Sequence, residues 1–71
     1  MKPLTPQQRA ALAVLLSYDD SRTLGYWAWR SQIRPFRHST RKRLEDDGLI
    51  QIENGIVRIT DEGRGYLERT R

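Results

Sequence analysis

Residues 44–63 read LEDDGLIQIENGIVRITDEG, a stretch that holds a helix stop, a tight turn and a helix start in quick succession. With Gly48 as the left-handed residue after a helix, Leu44 and Leu49 take the C3 and C″ positions, the apolar pair that accompanies a Schellman cap. Asn54-Gly55 supplies the two positive-φ residues of a type I′ turn. That turn sets Ile52 opposite Val57 and Ile50 opposite Ile59. Strand alternation then turns Ile50, Ile52, Val57 and Ile59 inward, and Gln51, Glu53, Ile56 and Arg58 outward. Thr60 is an N-cap, and Asp61 and Glu62 carry the charge sign that suits a first helical turn. Gly63 and Gly65 weaken this last helix by propensity, and Tyr66 and Leu67 are expected to dock it.

Upstream, LTPQQ starts a helix, with Thr5 as N-cap, Pro6 at the first helical position and Gln8 completing a capping box. It is expected to run to Ser17 or Tyr18 and is apolar nearly all round, as suits a central helix. After the turn YDDSR, the segment TLGYWAWRSQI predicts a second helix, capped by Ser21 or Thr23 and ended by Arg34-Pro35. Trp27 and Trp29 lie about 200° apart on such a helix, so one indole is expected to be at least partly exposed, at a partner surface or lying over a basic side chain. Pro35 is placed to open a third helix whose buried stripe is Phe36, Thr40 and Leu44. His38, Arg41, Lys42 and Glu45 fall on the opposite face, with Ser39 and Asp46 at its margins.

The 71 residues (8.4 kDa) suffice for one small domain spanning 1–71, which buries about 60% of its unfolded surface. There is no cysteine, so helix packing and capping must stabilise the thin core. The longest apolar run, Ala10 to Leu16, is too short to span a membrane, and Pro3 and Pro6 interrupt any export signal. A cytoplasmic location without membrane partners is expected. Net charge is +4, but residues 34–44 alone hold five basic side chains and no acid. Such a concentration is the footprint expected where a protein meets phosphate.

Arg34, Arg37, His38, Ser39, Arg41 and Lys42, with Arg58 on the hairpin, are therefore the candidate nucleic-acid contacts, with cations on phosphates or guanine edges and Ser39 on a phosphate. The alternative for the same residues is an ordinary solvated helix face. Glu45 suits a surface ion pair better than a cytosine contact. His38 is the only histidine and no cysteine can join it, so neither a metal nor another cofactor is expected. Asp46 and Asp47 point about 100° apart and do not form an acid–base pair, and no nucleophile with a positioned base is discernible, so no enzyme is expected.

The order helix, helix, turn, helix, hairpin, helix is that of a winged helix-turn-helix. RLEDDGLI followed by a hairpin and ITDEGRGYL resembles the DNA-binding core of MarR-type transcriptional regulators over roughly residues 24–67. The resemblance implies a mainly α fold with three helices, a two-stranded wing and a short C-terminal helix. It also implies a transcription regulator that lays its third helix in the major groove of double-stranded DNA; because one such helix gives only modest affinity alone, a homodimer is expected where the protein acts on a two-fold site. The hairpin offers only Arg58 as a cation, so recognition would rest on the third helix. A different reading is a protein-interaction adaptor using Trp27, Trp29 and Ile56. A third is single-strand or RNA binding through Trp and Arg stacking.

Overall fold

A computed structural model describes residues 3–18 and 24–70. Its elements are α1 (Pro6–Ser17), β1 (Leu24–Gly25), α2 (Tyr26–Ser31), α3 (His38–Asp46), β2 (Ile50–Glu53), β3 (Ile56–Ile59) and α4 (Asp61–Arg69). The architecture is helical with a small antiparallel sheet of strand order β1-β3-β2.

Helix α1 begins where the capping box places it. Thr5 Oγ1 accepts from the Gln8 N–H at 3.2 Å, and Gln8 Oε1 accepts from the Thr5 N–H at 3.0 Å. Ala11, Leu12 and Leu15 are buried, and α1 touches all three other helices and β3, so it is the central element. Its start is tied to the far end of the chain: Tyr66 Oη accepts from the Leu4 N–H at 3.0 Å, and the Arg9 guanidinium donates to the Thr70 hydroxyl and carbonyl.

The hairpin has the register expected from Asn54-Gly55. Ile50 faces Ile59 and Ile52 faces Val57, while Asn54 and Gly55 have φ of 53° and 76°. Ile50 and Val57 are buried, Ile52 and Ile59 are half-buried, and Gln51, Glu53 and Arg58 are exposed, as alternation requires. The Schellman cap also forms. The Leu49 N–H donates to the Leu44 carbonyl at 2.9 Å and the Gly48 N–H to the Glu45 carbonyl at 3.0 Å, with Gly48 at φ 73°.

Three expectations need correction. The sheet is three-stranded: Leu24 pairs with Val57 and Gly25 with Ile56, because a buried Leu24 covers the sheet end of the core. The second helix accordingly starts at Tyr26 and covers only Tyr26–Ser31, with Gly25 at the N-cap position. The proposed caps Ser21 and Thr23 lie outside the described residues. The third helix starts at His38, not at Pro35, since Phe36 turns into an aromatic cluster and Arg37 is still extended (φ −115°, ψ 140°). The Arg34–Pro35 peptide is cis.

Gly63 proves to be a packing requirement more than a weakness. A Cβ there would meet the Leu49 carbonyl oxygen at 2.3 Å and Ile59 Cγ1 at 2.9 Å, whereas one at Gly65 would meet only the mobile end of Arg69 at 3.5 Å. A domain of this size is stable by about 4–10 kcal/mol. Gly63→Ala is therefore expected to destabilise it by about 1–3 kcal/mol or more through overpacking. Gly65→Ala is expected to stabilise it by up to about 1 kcal/mol through helix propensity. Urea denaturation of the two variants checks the contrast, which equal effects would refute.

Candidate nucleic-acid interface

Helix α3 is held by a narrow buried side. Thr40 and Leu44 are buried, and half-buried Phe36 extends their side into the bend before the helix. At 100° per residue, Lys42 lies directly opposite, flanked by His38, Ser39 and Asp46. Arg34, Arg37, His38, Ser39 and Lys42 are all exposed.

The remaining cations are half-buried at the edges of the core side, Arg43 on one flank and Arg41, which was expected on the outward face, on the other, and each meets an acid one turn on. Arg41 Nη1 donates to Glu45 Oε1 at 2.9 Å, and Arg43 Nε donates to Asp47 Oδ2 at 2.6 Å. Arg41 Nη2 also lies 3.3 Å from His38 Nε2. Helical pairs of this i,i+4 kind contribute about 0.3–0.5 kcal/mol each, so their larger consequence here is to offset charge at the C-terminal half of the helix. What remains exposed and basic is its N-terminal end: Arg34, Arg37 and Lys42 around His38 and Ser39.

This end has no side-chain cap, and Arg37 stands at the N-cap position. Cations at a helix N-terminus and acids at its C-terminus both oppose the macrodipole, at some tenths of a kcal/mol each. Helix α4 is the reverse: Thr60 caps it by accepting from the Gly63 N–H, Asp61 and Glu62 fill its first turn, and Arg69 sits in its last. The charge order of α3 is therefore not explained by its own stability.

Arg58 is exposed on the outer face of the hairpin, where it lines a shallow groove with Gln51, Glu53, Asn54 and Ile56. It belongs to a different element and stands beside an acid, so the hairpin adds no cationic excess. Ile56 is half-buried, less open than a free docking residue would be.

The tryptophans separate completely. Trp27 is 72% exposed, while Trp29 is 0% exposed and donates its indole N–H to the Ala11 carbonyl at 2.9 Å. Trp29 as a partner-binding residue is thus corrected to core: a two-residue spacing on α2 sends one ring outward and the other against α1. Tyr26, Trp29 and Phe36 pack edge-on or tilted, with centroids 5.4–6.3 Å apart. The basic side chain over the exposed indole is Arg30, which the sequence reading did not name: its guanidinium lies over Trp27 at 4.7 Å, Phe36 at 5.0 Å and Tyr26 at 5.9 Å. Its signal was available, since Arg30 follows Trp27 by one helical turn.

No protein-family model, no curated protein and no solved structure matches the chain. Among the described residues no cluster of His, Asp and Glu could hold a metal ion, and no helix is long and apolar enough to cross a membrane.

Loss of the buried indole in Trp29→Ala should cost about 3–5 kcal/mol, enough to unfold much of the population. Trp27→Ala should stay within about 0.5 kcal/mol of the parent. Thermal melts followed by far-UV circular dichroism distinguish the two, and comparable losses would contradict the assigned burial.

Proposed function

We propose that the protein is a small winged helix-turn-helix DNA-binding protein, a transcription regulator resembling the MarR-type core, that lays α3 in the major groove of double-stranded DNA. The observation that carries this reading is the exposed basic end of α3, with Arg34, Arg37 and Lys42 around His38 and Ser39. Phosphate contacts position such a helix, and base-edge contacts specify sequence. Arg34 and Arg37, in the bend and cap before the helix, suit phosphates. His38, Ser39 and Lys42, on its outward face, suit the groove floor. Arg41 has a smaller part than its charge suggests, because Glu45 engages it. One helix end of this size gives modest affinity, so a regulator built on it would bind a two-fold site as a homodimer.

A protein-interaction adaptor is the second reading, and the exposed Trp27 is the observation that favours it. The two separate on salt. DNA binding through phosphates weakens linearly in log salt, with a slope of about 0.9 per phosphate neutralised.

Arg34→Ala with Arg37→Ala should weaken binding to random duplex DNA and flatten the salt slope by about 1.8. Glu45→Gln, which releases Arg41, should tighten binding and steepen the slope. Asn54→Ala should cost stability through the turn and leave affinity nearly unchanged. Fluorescence anisotropy over a range of salt concentrations measures all three. A parent protein with no salt-dependent binding would remove the DNA reading.

A further inference from the structure

The outward ring of Trp27 is linked to the segment before α3 through Arg30, whose guanidinium lies over both the Trp27 and the Phe36 rings. Single exposed apolar side chains are common on protein surfaces and need no explanation of their own. Trp27 differs in how it is mounted. The Arg30 guanidinium lies over its ring at 4.7 Å, and the Tyr26 ring meets it edge-on at 5.6 Å and 67°. Tyr26 is itself anchored, because its N–H donates to the Gly55 carbonyl at the hairpin turn at 2.8 Å. The indole is thus in contact with both Arg30 and Tyr26 while 72% of the residue is open. A ring held in place loses little conformational freedom when it takes a partner.

The surroundings indicate the chemistry of that partner. Arg30 spans from Trp27 to Phe36, and Phe36 adjoins Arg37, so the indole is continuous with the cations before α3. Residues 24–44 contain six basic side chains and no acid. The cores of protein–protein interfaces are depleted in charge. An aromatic face set among cations is instead the arrangement that takes a flat base together with its phosphates.

We propose that Trp27, backed by Arg30, is a stacking platform for an unpaired nucleobase, and that the partner of this surface is DNA in which a single-stranded segment adjoins a duplex. This rests on the DNA reading of α3 and adds to it: α3 takes the duplex, and the platform takes the first base beyond its end. Arg30 on one face of the indole and the base on the other would form a three-layer stack.

The test uses the full chain with a blunt random-sequence duplex and the same duplex carrying a single-stranded thymidine tail. The tailed duplex should bind more tightly, by roughly 5- to 100-fold, the range of aromatic–base stacking. The tail should also quench the emission of Trp27, while Trp29 stays unaffected in the core. Trp27→Ala should bring the tailed duplex down to the blunt affinity without changing blunt binding or its salt slope, and Trp27→Tyr should keep most of the preference. Circular dichroism confirms that both variants are folded. Equal affinity of the parent for the two DNAs, or a tail preference that survives Trp27→Ala, overturns the platform and leaves the duplex reading of α3 standing. Failure to bind either DNA overturns both. If Trp27→Ala instead dissociates a dimer in sedimentation and leaves tail binding intact, the indole belongs to a protein seam and the platform is overturned.

Discussion

The joint at Gly48 and Leu49 orders most of the molecule. The Leu49 N–H closes the Schellman cap on the Leu44 carbonyl, and its own carbonyl accepts from the Thr60 N–H at 3.1 Å. The Gly48 carbonyl accepts from Thr60 Oγ1 at 2.6 Å, while the same hydroxyl oxygen caps α4 by accepting from the Gly63 N–H at 3.1 Å. The end of α3, the entry and exit of the hairpin and the start of α4 therefore share one small set of backbone groups. Gly63 lets α4 approach the Leu49 carbonyl more closely than any side chain would permit. Buried backbone groups must be paired, so a shift of one element would unpair the others.

From this joint the placement of the outward residues follows. With Leu44 and Leu49 fixed in the core at 0% and 2% exposure, the rotation of α3 about its axis is set, and Lys42 must point away. The aromatic cluster fixes the other end. Phe36 packs against Trp29, and Trp29 is hydrogen-bonded to the backbone of α1. The exposed end of α3 is thus held between two rigid anchors, even though few of its own residues are buried. A site on a fixed helix can position contacts that a loop cannot.

Much of this was legible from local chemistry. Thr5 with Gln8, Gly48 after Leu44, Asn54-Gly55 and Thr60 each state their structure within a few residues, because a cap or a tight turn is satisfied by its neighbours. Leu24-Gly25 was not legible as a strand, since its partners Val57 and Ile56 are far away in sequence and two residues show no period. Pro35 read as a helix start because proline suits that position; the tertiary demand of Phe36 for the Trp29 ring moved the start to His38. At the candidate site the exposure of His38, Ser39 and Lys42 followed from helical period, whereas Arg41, expected on the same face, is half-buried because it reaches across to Glu45. The division of labour between the tryptophans did not, because period shows that they diverge and not which ring α1 covers.

The charges of α3 can then be weighed as a choice between stability and use. A helix of nine residues with two buried side chains and no N-terminal side-chain cap gains little on its own account. Its cations lead and its acids trail, both against the macrodipole. The pairs Arg41–Glu45 and Arg43–Asp47 recover part of that cost, and both sit on the flanks, where their side chains also cover the core edge. No such pair engages the outward cations at the leading end among the described contacts. Capping and charge rules are obeyed at the start of α1, at the Schellman joint and at both ends of α4, and are broken along α3, where Arg37 and Lys42 lead and Glu45 and Asp46 trail. Local violations of this kind are expected at functional or strained sites, and the leading end of α3 is the part of the molecule on which the proposed DNA reading rests.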